Sequence, residues 1–352
     1  MRALKLLSPL IIIVVLIAGV ILARQFVFNK SHRTNGTQDL GQVGGLLRPM
    51  DPNQVSPAAR AAFDLSFVHL ETDQEWWYLN AHLLDQQNRR FGLMVAILKD
   101  GQVFASVTNL SQKSHVPYYA RDYIEQESKN RMIKVKGCTL TQPDPNKFEY
   151  QFSFEHDLGA FQLKFTALKN PLPVGGKGYI AMGEAGKSYY YSLTNMLVEG
   201  RGQIAGQELV FHGKGWMDRQ WGLWRDRDFD QWHWYSMQLS NNVEIMLFDF
   251  RKHGKSITPL CDAVLADGTY KHNLRFEIHV LGHWTSPKTG KIWSSGWEID
   301  IPELNAQLTV TPDLEDQEIT DALWEGVCSI NGAYGGTQVR GLAFYEARHK
   351  TW

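Results

Sequence analysis

The chain has 352 residues, with 36 basic and 37 acidic side chains and a formal net charge of −1 at pH 7. No run of lysine and arginine rises above ordinary surface density, which argues against nucleic acid as a partner. The length is sufficient for two domains.

The first predicted element is an apolar segment from Leu6 to Ala23, flanked by basic residues. As a helix it would span about 27 Å, enough for the apolar core of a bilayer. A cleaved signal peptide usually has a shorter apolar core, so we predict an uncleaved signal anchor over residues 1–28, with a signal peptide as the alternative. A linker over residues 29–56 would follow. The main part of the chain would then be membrane-anchored in the periplasm or outside the cell.

From residue 57 onward the dominant pattern is alternation with a period of two. Short segments rich in aromatic and β-branched residues are separated by turn dipeptides such as Asp-Gly and Asn-Asn. Closely spaced strands without crossover helices predict antiparallel sheets, closed into barrels or sandwiches. We therefore expect an all-β fold with two domains, over residues 57–222 and 223–352.

The first aromatic and acidic block runs from Glu71 to Leu83, ETDQEWWYLNAHL. Alternation along a strand places Glu75 and Trp77 on one face, and Tyr78 and His82 on the other. We predict that these four residues bind a ligand. The alternative is an aromatic face whose polar tips are hydrogen-bonded for structural reasons alone.

The second block, between Trp216 and Trp234, contains five of the chain's 12 tryptophans together with several carboxylates. Tryptophan mixed with carboxylates suits a pocket for a flat or apolar molecule, and an interface between two β-domains is a common place for such a pocket. The predicted ligand-binding residues here are Trp216, Trp221, Trp224 and Trp234. The alternative is that the tryptophans only pack the core.

Three residues are candidate catalytic groups: Asp218, Asp249 and His233. A carboxyl buried among apolar rings can stay protonated and protonate an alkene, while indole faces stabilise the resulting cation. Asp218 lies between two tryptophans, and Asp249 lies in an apolar strand. Structural alternatives remain open: Asp218 could cap a turn or pair with a nearby arginine, Asp249 could pair with His253 or Arg251, and His233 could be an ordinary core histidine.

Other chemistries lack a motif in this sequence. There is no Gly-x-Ser-x-Gly elbow, no HExxH and no phosphate loop followed by a helix. Cys138, Cys261 and Cys328 permit at most one disulfide and show no metal-binding spacing. We predict neither a metal nor a cofactor.

Three motifs resemble the AttH-like family, which includes the carotenoid 1,2-hydratases. They are HLETDQEWWY at residues 69–78, GWMDRQWG at 215–222, and WEG at 324–326, followed by a last strand that contains FYE at 344–346. The resemblance implies a pair of lipocalin-like β-barrels with a ligand site in or between them. It also implies that enzymatic members act on apolar polyenes or polyketide chains, by hydration of an isolated double bond or by cyclisation.

The resemblance further implies a Tyr-x-Asp pair, which carotenoid hydratases use in a strand of this kind. Here the matching residues are Leu247 and Asp249, so the tyrosine is missing. The sequence therefore favours a membrane-tethered protein outside the cytoplasm that binds an apolar lipid or isoprenoid-type ligand and hands it to a membrane partner such as a transporter. The alternative is a cofactor-independent enzyme of the hydratase, isomerase or cyclase type that acts on an unsaturated apolar substrate.

Overall fold

The computed structural model describes residues 66–156, 159–182, 186–224 and 229–349. These residues form two antiparallel β-sheets and the short 3-10 helices Val174–Gly176 and Pro302–Leu304. In this part of the chain no helix is both long enough and apolar enough to cross a bilayer. The predicted anchor and linker lie outside the described residues and stay predictions.

The first sheet contains 13 strands in the order β4-β3-β2-β1-β13-β12-β9-β8-β7-β6-β5, and β10 and β11 also pair with β12. The strands are β1 Gln74–Asp85, β2 Arg90–Leu98, β3 Gln102–Asn109, β4 Ser114–Arg121, β5 Glu125–Glu127, β6 Met132–Val135, β7 Cys138–Thr141, β8 Glu149–His156, β9 Gly159–Ala167, β10 Leu172–Pro173, β11 Tyr179–Ala181, β12 Lys187–Ile204 and β13 Gln207–Leu223.

The second sheet contains 10 strands in the order β17-β16-β15-β14-β23-β22-β20-β19-β18, and β21 also pairs with β22. The strands are β14 Gln231–Leu239, β15 Glu244–Lys252, β16 Lys255–Val264, β17 Tyr270–Lys271, β18 Glu277–Thr285, β19 Ile292–Ile301, β20 Ala306–Pro312, β21 Glu318–Thr320, β22 Leu323–Tyr334 and β23 Thr337–His349.

The all-β prediction is confirmed, but the sheets are curled half-barrels rather than closed barrels. Among the described residues, the end strands β4 and β5 of the first sheet do not pair with each other, and neither do β17 and β18 of the second. Most side chains of β4 and β5 are exposed or half-buried. Pairing β4 with β5 would therefore bury little apolar surface, so the hydrophobic effect would contribute little to closing the first sheet into a barrel.

Period-two alternation divides the buried side chains among three cores. The first core lies on the inner face of the first sheet and includes Trp77, whereas the second lies on the inner face of the second sheet and includes Tyr235. The third core contains residues of both sheets, such as Tyr78 and Trp234. Trp77 and Tyr78 therefore lie on opposite faces of β1, as predicted. The two sheets pack face to face through the third core.

A buried ion pair also joins the two sheets. The Lys169 ammonium group, in the connection after β9, donates to Glu244 Oε2 at 2.8 Å and to the backbone carbonyl of Leu265 at 2.9 Å. Both side chains of the pair are almost fully buried. A buried pair of this kind strongly destabilises a protein when one partner is removed, because the other charge is left without compensation.

Lys169→Met is therefore expected to lower the free energy of unfolding by about 3–5 kcal/mol. Lys164→Met is the matched control: Lys164 pairs with Glu149 at 2.7 Å, but its side chain is 49% exposed. Exposed pairs contribute about 0–1 kcal/mol. Urea unfolding of both variants measures the difference, and equal losses would show that the buried pair does not hold the sheets together.

Candidate functional site

A cavity of about 450 Å³ lies between the two sheets within the third core. Its walls come from β1, β2, β3, β4, β12 and β13 on one side and from β14, β15, β21, β22 and β23 on the other. The exposed residues Asp100, Tyr119 and Asp321 lie where the lining reaches the surface. A cavity of this size suits a small organic molecule.

The register of the strands arranges the lining in layers, because residues that are directly opposite on neighbouring strands form a row. The deeper layer, which we call the inner layer, consists of one row from each sheet. The row of the first sheet is Ala96, Tyr78 and Asp218. The row of the second sheet is Glu325, Glu346, Trp234 and Phe248. The Tyr78 hydroxyl donates to Glu325 Oε1 at 2.5 Å, so the two rows face each other.

The outer layer lies two residues further along each strand, toward the exposed part of the lining. Its row in the first sheet is Leu98, Trp76, Gln220 and Tyr190. Its row in the second sheet is Leu323, Arg348, Trp232 and Phe250. All eight side chains line the cavity.

Asp218 is a buried carboxylate that accepts three side-chain hydrogen bonds. Ser192 Oγ and Trp216 Nε1 each donate to its Oδ1 atom at 2.6 Å, and the Tyr190 hydroxyl donates to its Oδ2 atom. Burial raises the pKa of Asp218 to about 6, while these donors oppose the rise by stabilising the charged form. Asp218 is therefore mainly ionised at pH 7.

Glu325 and Glu346 form a carboxyl pair, directly opposite each other on β22 and β23. Burial raises the pKa of Glu325 well above its usual range, and the charges of Glu346 and Asp218 raise it further. Burial also raises the pKa of Glu346 to about 7, although Trp232 Nε1 donates to its Oε1 atom at 2.8 Å. Like charges this close do not both ionise readily, so Glu325 keeps its proton at neutral pH.

Two tyrosine hydroxyls fix the direction of the hydrogen bonds around these carboxyls. Asn80 Nδ2 donates to the Tyr78 hydroxyl at 2.9 Å, and Trp234 Nε1 donates to the Tyr190 hydroxyl at 3.1 Å. Burial raises the pKa of both tyrosines well above the usual value, so both remain protonated and donate onward. Because Glu325 Oε1 accepts the hydrogen bond from Tyr78, the acid proton of Glu325 belongs on Oε2.

Aromatic rings form a large part of the remaining wall. Trp234 packs edge-on against Tyr78 with ring centroids 5.1 Å apart, and Trp76 packs edge-on against Trp224 at 5.3 Å. The guanidinium of Arg348 lies over the Trp232 ring at 4.6 Å. Ring faces in a desolvated site attract cations. The cavity therefore combines a proton donor, an ionised carboxylate and surfaces that stabilise positive charge.

The structure brings five of the residues predicted from sequence to this site. Asp218, Tyr78, Trp224 and Trp234 line the cavity, and Trp216 supports Asp218 from beneath through its indole N–H. Four of the five tryptophans of the tryptophan-rich second block belong to the third core, between the two sheets: Trp216, Trp224, Trp232 and Trp234.

Three predicted ligand-binding residues, Glu75, Trp77 and Trp221, lie on the inner face of the first sheet, outside the cavity lining. Glu75 Oε1 accepts from the Arg219 guanidinium at 2.7 Å and lies 2.8 Å from His69 Nδ1. Burial raises the pKa of Glu75, but His69 and Arg219 outweigh it and lower the pKa overall. Trp77 lies beneath the Arg219 guanidinium at 4.5 Å, and Trp221 stacks on His69 at 4.1 Å. These contacts account for all three residues structurally.

His82 is on the same face of β1 as Tyr78, but it lies four residues along the strand from Tyr78 and is therefore outside the inner layer. Its ring packs against Phe344 with centroids 4.9 Å apart. Burial lowers the pKa of His82 to about 3, so the ring is neutral at pH 7. It does not line the cavity, and its predicted role in ligand binding has no geometric support.

His233 and Asp249 are directly opposite on β14 and β15, but they lie on the inner face of the second sheet. His233 Nδ1 lies 2.6 Å from the Tyr345 hydroxyl. Asp249 accepts from Ser256 Oγ at 2.5 Å and from the Arg251 guanidinium at 3.2 Å. The structural alternative for Asp249, a pair with Arg251, is therefore present. Neither His233 nor Asp249 lines the cavity between the sheets, and both catalytic assignments stay predictions.

Sequence reasoning missed Glu325 and Glu346 as site residues, although both lie in the motifs that carry the family resemblance. Each is an acid in an otherwise apolar stretch of strand. Alternation along the strand places Glu346 on the face opposite Tyr345, and this pattern could have identified Glu346 as a candidate site residue. Gln220, Tyr190 and Arg348 carried no comparable signal.

No cluster of three or more His, Cys, Asp or Glu side chains suited to a metal ion is found within the described ranges. Cys138, Cys261 and Cys328 are buried free thiols. The site is therefore described by its carboxyls, hydroxyls and aromatic rings.

Comparisons with known proteins agree with this architecture. Kievitone hydratase from Nectria haematococca has a TM-score of 0.73 at 18% identity, over 87% of this chain and 97% of that chain. A protein from Nitrosomonas europaea that bears the name AttH has a TM-score of 0.71 at 20% identity, over 86% and 99% of the two chains. CghA, solved with Sch210972, has a TM-score of 0.54 at 10% identity, over 79% and 89%.

Identities this low establish a shared fold and leave the reaction to be argued from the site. A search of curated proteins found no match. The model of the AttH-like family matches residues 63–347, which is most of the chain and includes all the strands described above except the last residues of β23. The protein belongs to the AttH-like family.

Proposed function

We propose that this protein is a cofactor-independent enzyme that protonates a carbon–carbon double bond of a mostly apolar substrate, and that the reaction is a hydration. The observation that carries the proposal is the carboxyl chemistry of the inner layer. A protonated Glu325 faces an ionised Asp218 within an aromatic cavity. Carboxyls whose environments separate their pKa values are the usual arrangement for acid and base roles in one site.

The reaction would begin with transfer of the Glu325 proton to one alkene carbon, which leaves a carbocation on the neighbouring carbon and a carboxylate on Glu325. The Asp218 carboxylate and the Trp232 and Trp234 rings would stabilise that cation. A water molecule then attacks the cation, and Glu346 accepts the proton that this water loses. Because Glu346 lies opposite Glu325, the proton can return to Glu325 for the next turnover.

The sequence offered Asp218 or Asp249 as the proton donor, and Asp218 is the one that lines the cavity. Its three hydrogen-bond donors favour the ionised form, whereas the Glu325–Glu346 pair favours retention of a proton on Glu325. We therefore assign the acid role to Glu325 and the role of fixed negative charge to Asp218.

The similarity to a hydratase supports this reaction class, because kievitone hydratase shares the fold over most of both chains. The cavity itself gives no support to a lipid carrier that serves a transporter. Two buried carboxyls, Asp218 and Glu325, and the half-buried Glu346 are expensive to desolvate and add nothing to the storage of an apolar ligand, whereas an acid catalyst requires such groups.

Turnover of simple alkenes would test the proposal. Purified protein would be incubated with methyl farnesoate, farnesol and farnesene in heavy-oxygen water and, separately, in deuterium oxide. Hydration predicts a product that has gained one water molecule carrying the heavy oxygen, with deuterium on the adjacent carbon. Absence of both labels in every compound, in a protein shown to bind them, would contradict acid-initiated chemistry.

A further inference from the structure

We infer that the outer layer of the cavity is a subsite for a neutral carbonyl oxygen of the substrate, recognised by Gln220 and Arg348. The inference rests on the proposed function, because it assumes that the alkene occupies the inner layer. It adds the class of substrate: an unsaturated apolar molecule that also bears a ketone, ester or amide carbonyl.

Gln220 provides the first observation. Its side chain is 1% exposed and lines the cavity, yet its Nε2 atom has no hydrogen-bond partner among the described residues. Its neighbours in the row are Trp76 and Tyr190, whose rings offer no carbonyl oxygen. Buried amide donors are almost always satisfied in folded proteins, so an unsatisfied one in a cavity wall indicates that a ligand atom completes it.

Arg348 provides the second observation. Its guanidinium stacks on the Trp232 ring, and its half-buried side chain lines the cavity. A stacked guanidinium keeps its N–H donors in the plane of the group, at its edges. Within the described part of the chain no salt bridge or hydrogen bond occupies these donors. Gln220 and Arg348 lie in facing rows of the same layer and both supply N–H donors, so an acceptor oxygen is the group that satisfies both.

The charge of the lining selects a neutral acceptor over an anion. Among the residues that the structure describes, the lining contains five acidic side chains and one basic one, Arg348; the acidic ones are Asp100, Asp218, Asp321, Glu325 and Glu346. A carboxylate on the substrate would meet the ionised members of this set at short range and would be repelled. A carbonyl oxygen accepts the same hydrogen bonds without that repulsion.

The layers also set the distance between the two functional groups of the substrate. Adjacent layers are two residues apart along a strand, which is about 7 Å. The carbonyl oxygen and the alkene carbon that receives the proton should therefore be separated by about this length.

Binding of three probes of similar length tests the subsite: methyl farnesoate with a neutral carbonyl, farnesoic acid as the anion, and farnesene with no oxygen. Quenching of tryptophan fluorescence would report affinity without any turnover. Gln220→Leu and Arg348→Met should each weaken methyl farnesoate binding by about tenfold, as expected for loss of a hydrogen bond to a buried polar group. Farnesene affinity should be unchanged, and wild-type protein should bind the ester more tightly than the acid.

Gln151→Leu is the matched control, because Gln151 is an exposed residue of β8 far from the cavity. Equal weakening of ester and farnesene would show that the two residues act through packing, and unchanged ester affinity in both variants would also overturn the subsite. The measurements repeated in a Glu325→Gln background separate the two proposals. If binding depends on the carbonyl but the protein with Glu325 intact shows no turnover, only the proposed hydratase function is refuted. If turnover occurs but binding does not depend on the carbonyl, only the proposed subsite is refuted.

Discussion

Glu325→Gln is expected to lower kcat for hydration by about 10²- to 10⁴-fold, the range that general acid catalysis contributes. Glutamine preserves the shape of the side chain and can still accept the hydrogen bond from Tyr78, but it has no acid proton to give. Ligand affinity should therefore be retained while turnover is lost. Steady-state kinetics together with fluorescence titration would measure the two effects separately.

Glu298→Gln is a suitable control, since Glu298 is an exposed residue of β19 and the chemical change is identical. Its turnover should match that of the wild-type protein. Full activity of Glu325→Gln would exclude Glu325 as the acid. If Glu346→Gln loses activity and Glu325→Gln does not, the acid is Glu346 and not Glu325.

Asp218→Asn should reduce kcat by about 10²- to 10³-fold, as loss of one electrostatic contact to a charged transition state does in other enzymes. The variant removes the negative charge that would stabilise the cation, and it replaces one acceptor atom with a donor next to the groups that donate to Asp218. Asp249→Asn is the informative counterpart, because Asp249 is also a buried strand aspartate but lies on the other face of the second sheet. Equal losses in both variants would favour the catalytic role predicted for Asp249 from sequence.

The pH profile of the same variant tests the electrostatics. In the wild-type protein activity should fall at low pH as Glu346, with a pKa of about 7, and Asp218, with a pKa of about 6, become protonated. At high pH activity should fall as Glu325 loses its proton. The charge of Asp218 raises the pKa of Glu325, so its removal should move the alkaline limb to lower pH. An unmoved limb would mean that Asp218 does not act on Glu325.

Local sequence pattern predicted the all-β fold and the two faces of β1 correctly, because alternation of side chains is a property of each strand alone. It could not separate Asp218 from Asp249. Every residue of β15 from Glu244 to Phe250 is buried, so both faces of that strand are apolar and the pattern does not reveal which face lines the cavity. Because both faces of β15 are buried, the alternation of buried and exposed residues that would assign Asp249 to one face is absent.

The carboxyl pair and its partners were missed for a different reason. Tyr78 and Glu325 are 247 positions apart in sequence, and their contact depends on how the two sheets dock. The closed barrels were also expected from local pattern, although closure depends on pairing between distant edge strands. Sheet docking and edge pairing depend on contacts between residues that are distant in sequence, and local pattern in a single sequence predicts neither.

The proton donor and the fixed negative charge belong to different sheets, with Glu325 on β22 and Asp218 on β13. Any movement that separates the sheets to admit a substrate also draws these two groups apart and lets water between them. If the proposed function holds, catalysis would stop while the sheets are apart and would resume only when they close around the substrate. Under the proposed mechanism, a substrate cation would form only while the two sheets hold both groups together, and solvent would then have little chance to quench it.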